Sequence, residues 1–206
     1  MTEPTTPSTR DKILIAAATM LGEDPTSRLS VRAVAARAGV SVGSLRHFFP
    51  TQQKLIDTVV AALYDLDIPD DPMQHSTLGP AERLVACLQL LLTQVGTRDR
   101  ARQYWRALHD AYVVAPPSAD ATHSFLALER LNLHRISRWL NVLRDEHALA
   151  TDDLDVAARF LSTVVNGLSL ERALPGDRER LPFEVMSLRA AVNSILKDEN
   201  AHTETS

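Results

Sequence analysis

Residues 31–50 read VRAVAARAGVSVGSLRHFFP, and this stretch decides the fold. Ser30 is placed to cap a short helix over Val31–Ala38, Gly39 to stop it, and Ser41 to cap a second helix over Val42–Phe49. Two short helices crossing at roughly 90–120° over a tight turn make a helix-turn-helix. Only a small side chain fits where they cross, and Ala35 supplies it. The turn needs a positive φ, which glycine adopts at least cost, and Gly39 sits there. The inner faces must be apolar, and the pattern assigns Val34, Ala38, Val40, Leu45 and Phe48 to them. A helical hairpin that merely packs would not need so short a second helix.

The second helix is the candidate reader. On a helix Leu45, Phe48 and Phe49 share one side, while Gly43, Ser44, Arg46 and His47 point the other way. A recognition helix sets its N-terminal residues, here from Val42 onward, on base edges in the major groove. Gly43 lets the backbone approach, Ser44 can bond phosphate or base, and Arg46 can grip guanine with two hydrogen bonds. Arg46 could equally be a phosphate contact, and both readings stay open. Arg32, in the first turn of the preceding helix, is placed to touch phosphate. Ser30 and Ser41 can offer hydroxyls and free helix-terminal amides to phosphates as well.

Working outward, residues 1–7 form a Thr/Pro-rich tail, and Ser8-Thr9-Arg10-Asp11 is a capping box for a helix to about Leu21. A fourth helix opens at Pro50-Thr51 and runs to about Leu66, before a proline-broken loop over 67–76. Five more helical segments follow, at about 80–95, 98–114, 118–146, 152–174 and 182–197, with start or stop signals such as Gly79-Pro80-x-Glu82, Pro116-Pro117 and Thr151-Asp152-Asp153. No segment alternates like a strand. The expectation is an all-α chain of nine helices: an N-terminal helix-turn-helix domain over 8–50, a larger helical domain over 51–198, and a polar tail over 199–206.

Charge follows the same division. Residues 8–50 carry six basic and three acidic side chains, whereas residues from 51 onward carry 16 basic and 22 acidic. The net charge of −4 therefore hides a basic module, as expected when only one part of a chain meets phosphate. The single cysteine, Cys87, excludes an intramolecular disulfide and suits a reducing compartment. With no basic, then apolar leader, and no apolar stretch long enough for a bilayer, the chain reads as soluble and cytoplasmic, with no membrane partner.

These motifs resemble the TetR family of regulators. The resemblance is densest over residues 10–64: Ala16-Ala17 in a capped first helix, Leu29-Ser30-Val31-Arg32-x-Val34-Ala35, Ala38-Gly39-Val40-Ser41-Val42-Gly43-Ser44-Leu45, Phe49-Pro50 and Leu55. It implies a three-helix DNA-binding domain, a helical C-terminal domain that binds a small-molecule effector, and a homodimer on a palindromic double-stranded operator, joined through the last two helices. Arg46 stands where the family usually has tyrosine, and Gln52 where it usually has a basic residue, which Lys54 partly replaces.

No catalytic, metal or cofactor signature emerges. Glu199-x-x-His202 is a lone pair with metal-ligand spacing, and Ser194-x-x-Lys197 lacks the motifs that accompany it in nucleophile sites. An effector site is expected around Trp105, His109, Tyr112, Phe125, Asn132 and Trp139, an aromatic set with polar members. The other reading makes His109 and Asn132 satisfied core residues. The last two helices carry more apolar surface than one bundle needs; the resemblance implies that Phe160, Leu161, Val164, Val165, Leu168, Met186 and Val192 form a dimer interface, and the other reading is a plain core. The competing function is an all-helical ligand-binding or catalytic protein whose N-terminus only looks like a DNA reader.

Overall fold

Ser8 and Asp11 close the start of the first helix reciprocally: the Asp11 amide donates to the Ser8 hydroxyl at 3.2 Å and the Ser8 amide to the Asp11 carboxylate at 3.1 Å. Side chains start the later helices in the same way. Ser118 accepts from the Ala121 amide at 3.2 Å, Asp153 accepts from that of Val156 at 3.0 Å, and Glu82 reaches back to the Gly79 amide at 3.0 Å. These bonds satisfy amides that have no partner inside the helix.

The computed structural model describes residues 7–23, 30–64, 71–114, 116, 118–176 and 180–197. Its helices are α1 (Thr9–Glu23), α2 (Val31–Ala38), α3 (Val42–Phe48), α4 (Gln52–Tyr64), α5 (Pro80–Val95), α6 (Asp99–Tyr112), α7 (Ala119–Asp145), α8 (Leu154–Glu171) and α9 (Arg180–Asn193). Pro72–Gln74, expected as loop, is a 3-10 turn capped by Asp71, whose carboxylate accepts from the Met73 amide at 3.0 Å. The β-type feature among the described residues is one isolated bridge between Leu149 and Leu196. It arises because α9 stops at Asn193, short of the expected Lys197. The Lys197 amide then donates to the Ala148 carbonyl, and that of Ala150 to Ile195, both at 2.9 Å. Most of the expected 1–7 tail, the Asp24-Pro25 end of the first helix stop, the first part of the 67–76 loop and the whole 199–206 tail, with Glu199 and His202, lie outside the described residues.

Two compact units emerge, residues 1–66 with 106–131 and residues 67–105 with 132–206. The first is larger than the 8–50 domain that the motif suggests. Leu55, Ile56, Val59 and Val60 of α4, and Ala127 and Leu131 of α7, join Ile13, Ala17, Val34, Ala35, Leu45 and Phe49 in one core.

In the second unit α5 is the central element. Its Leu84, Val85, Cys87, Leu88, Leu91 and Leu92 pack in one core with Trp139, Leu140 and Leu143 of α7, Ala157, Leu161 and Val165 of α8, and Leu188 and Val192 of α9. Each fully buried leucine there contributes about 1.5–3 kcal/mol. Arg83 is buried among them, donating to the Met73 carbonyl at 3.1 Å and forming a two-point pair with Glu146. Arg172, at the end of α8, pairs with Glu184 and donates to the Leu92 carbonyl at 2.6 Å. Cys87 is fully buried with its Sγ 3.5 Å from Asp71 Oδ1, and burial, then the Asp71 charge, pushes its thiol pKa far up. It is an inert core thiol. Among the described residues, no helix is long and apolar enough to cross a membrane.

Candidate nucleic-acid interface

The turn between α2 and α3 is made by backbone chemistry. Gly39 adopts φ 67° and ψ 32°, the left-handed region. Its amide bonds the Ala36 carbonyl at 3.2 Å, and the Val40 amide bonds the Ala35 carbonyl at 3.0 Å. That double closure is a Schellman motif, which aims the chain directly into α3. Ser30 accepts from the Ala33 amide at 3.1 Å and Ser41 from that of Ser44 at 3.0 Å, so both predicted caps form. The Thr51 hydroxyl caps α4 by accepting from the Lys54 amide at 3.1 Å.

The packed side of α3 differs from the expectation at one residue. Leu45 is buried as predicted, but Phe48 is 39% exposed and Phe49 takes the inner place at 2%. The helix ends at Phe48, and Phe49 leaves helical geometry at φ −133°, which swings its ring into the core. The Arg10 guanidinium lies 5.8 Å from the Phe49 ring centroid, a cation–π contact tying α1 to the end of α3. Phe48 instead meets the His47 ring edge-on at 5.2 Å.

Gly43, Arg46 and His47 are exposed and Ser44 half-buried on α3. A methyl group built on Gly43 would meet nothing closer than Ser41 Oγ at 3.8 Å. The absence of a side chain there therefore serves no internal packing and leaves the helix backbone open from outside. Arg32, Ser41 and Lys54 are exposed, and Ser30 and Val42 half-buried.

The expected effector residues are divided between the two units, with Trp105, Asn132 and Trp139 in the second and His109, Tyr112 and Phe125 in the first. Trp139 is 2% exposed, with its indole Nε1 donating to Asp71 Oδ2 at 3.2 Å, so it is committed to the second unit's core. Trp105 packs with Val95, Ala101 and Ala173 in the same unit. In the first unit Tyr112 and Phe125 meet at 4.9 Å between centroids, while His109 is exposed beside Asp110. Asn132 is exposed in the second unit. A cavity of about 170 Å³ in the first unit is lined by none of the six, but by Gln52, Gln53, Ile56, Ala119 and His123.

The expected interface set also divides. Phe160 and Met186 are exposed and Val164 half-buried, but Leu161, Val165, Leu168 and Val192 point into the second unit's own core. The correction is one of helix phase, because α8 is apolar on two sides. The exposed stripe is Val156, Phe160, Thr163, Gly167 and Leu170, at alternating spacings of four and three, with a matching Phe183, Met186, Ala190 and Asn193 on α9. Those spacings were present in the sequence, but nothing in it marked which apolar side faced α5.

A model of bacterial regulatory proteins of the tetR family matches residues 13–59, which span α2, α3 and most of α1 and α4. The chain is 28% identical over 156 residues to the HTH-type transcriptional regulator PksA of Bacillus subtilis, covering 70% of this chain and 69% of that one. It is 25% identical over 176 residues to the HTH-type transcriptional regulator BetI of Pectobacterium carotovorum, covering 83% and 85%. In fold it is similar to a putative TetR-family regulator from Vibrio parahaemolyticus, with a TM-score of 0.53 at 18% identity over 93% of this chain and 100% of that one.

Proposed function

We propose that the chain is a bacterial transcriptional regulator of the TetR family, one that represses transcription by laying α3 in the major groove of its operator and leaves when a small molecule binds the second unit. The observation that carries this reading is the outward side of α3. It is a capped helix with a bare backbone at Gly43 flanked by Ser44, Arg46 and His47, and its packed side is complete without them. Arg46 is the base reader on this account. Arg32, Lys54 and the amides capped by Ser30 and Ser41 hold phosphates.

The regulator acts as a dimer on a palindromic site, since two recognition helices must reach half-sites one helical turn apart, roughly 34–36 Å. The heptad-like stripes on α8 and α9 support this. They leave Phe160, Phe183 and Met186 at 42%, 58% and 62% exposure, and Gly167 allows close approach because a side chain there would meet nothing within 4 Å. Apolar side chains spaced this way form the seam of a helix bundle.

Selection from a random DNA pool tests the core of the proposal. It should return a two-fold symmetric sequence, and binding to it should weaken steeply with salt. A pool that yields no enriched sequence overturns DNA reading.

A further inference from the structure

Along α7 the residues four apart form a ridge of the kind that helices bury: Ala127, Leu131, Arg135, Trp139 and Leu143. Four of the five are buried, at 7% exposure or less. The fifth is an arginine, half-buried in the same row. Position decides what such a side chain costs, because a guanidinium drawn out of water wants a carboxylate beside it.

Arg135 has no such partner among the described residues, neither hydrogen bond nor ion pair. Its neighbours one turn away on α7 are Leu131, Asn132, Arg138 and Trp139, none acidic. Between Arg130 and Arg144 the helix carries no Asp or Glu, and its other ionisable side chains there are His134 and Arg138. Burial alone pushes the guanidinium pKa down, with no opposing charge to raise it. Trp105, in the same unit, holds a second unanswered donor: its indole Nε1 is buried with no acceptor among the described residues.

We propose that Arg135 is the anion-recognition point of the effector site, and that the effector is a small, mostly apolar molecule bearing one carboxylate. This rests on the effector reading given above. The guanidinium fork fits a carboxylate through two parallel hydrogen bonds. A single negative charge matches the one cation of the ridge, which has no partner among the described residues, while Trp139, one turn on in the same unit, marks an apolar environment. A doubly charged phosphate would leave one charge unanswered there.

Two measurements on the full-length protein test this. In the absence of any ligand, Arg135→Met should raise the melting temperature, since it removes an uncompensated charge and keeps a straight side chain in the ridge. An arginine that holds the fold together would instead give a lower melting temperature, and that result overturns the proposal. The second measurement titrates benzoate and octanoate beside benzamide and octanamide, reading melting temperature and release of selected DNA together. The carboxylates should bind more tightly than their amides, and Arg135→Gln should weaken the carboxylates on the order of ten- to a hundred-fold while sparing the amides. Carboxylates that bind no better than amides, or equally well to Arg135→Gln, overturn it. Carboxylates that bind through Arg135 without releasing DNA uphold the site and overturn the effector reading beneath it.

Discussion

Arg172 and Glu184 meet as a two-point pair, Nε to Oε2 and the second terminal nitrogen to Oε1, each at 2.6 Å, with side chains only 13% and 8% exposed. The remaining terminal nitrogen of Arg172 reaches the Leu92 carbonyl, so one guanidinium joins the ends of α5, α8 and α9.

Removing either partner leaves a buried charge unanswered. Glu184→Ala should cost about 3–5 kcal/mol, read as a lower urea midpoint. The double variant Arg172→Met, Glu184→Leu should recover most of that loss, because an apolar pair leaves no charge in the core. A double variant no better than the single one means that the carbonyl contacts of Arg172, not the ion pair, set the stability.

Gly39→Val should abolish DNA binding while the second unit stays folded. A side chain at Gly39 would meet nothing within 4 Å, so the penalty is backbone strain at φ 67°, about 1–3 kcal/mol for a β-branched residue. Asparagine tolerates this conformation, so Gly39→Asn should keep most of the affinity. Equal behaviour of valine and asparagine in a mobility-shift titration would show that φ at the turn is not the controlling quantity.

Arg46→Ala should cost about 1–3 kcal/mol at one base pair and relax preference there. A binding profile over every single-base operator variant checks this. A loss spread evenly over all variants makes Arg46 a phosphate clamp.

Phe160→Glu with Met186→Glu should give folded monomers with weak operator binding, because both side chains lie on the exposed stripes. Leu161→Glu should instead unfold the second unit, since that residue is fully buried. Sedimentation and circular dichroism together separate the two outcomes.

Hydrogen bonding from Arg83 holds the Glu146 carboxyl below its ordinary value of 4.5. A depressed folded-state pKa contributes stability that is fully present above the unfolded value and disappears as pH falls through the folded one. Glu146→Gln should therefore lower the melting temperature at neutral pH, and its difference from wild type should shrink below about pH 4.5. A difference that stays constant into acid would mean that the pair adds nothing through charge.

What could be read from sequence was whatever depends on near neighbours. Ser30, Ser41 and Asp11 cap helices through residues three positions away, and Gly39 turns the chain through its own φ, so most helices and the exposed side of α3 were legible. Phe48, read as packed beside Leu45 and Phe49, is exposed instead, because the non-helical Phe49 at the end of α3 turns its own ring into the inner place. Leu161 and Val165 were read as interface because α8 has two apolar sides, and only the packing of α5 tells them apart. The partners Arg172 and Glu184 lie twelve residues apart across a helix connection, where no periodicity sets the phase.

The second unit is discontinuous along the chain, and this bears on how the protein is made. The apolar side of α5 leaves the ribosome roughly a hundred residues before α8 and α9 are complete. At bacterial elongation rates of about 5–20 residues per second, Leu84, Leu88 and Leu92 wait about 5–20 s for their cover. Until then the side of this helix that α8 and α9 will cover stays apolar and open, and slow or stalled synthesis lengthens that exposure.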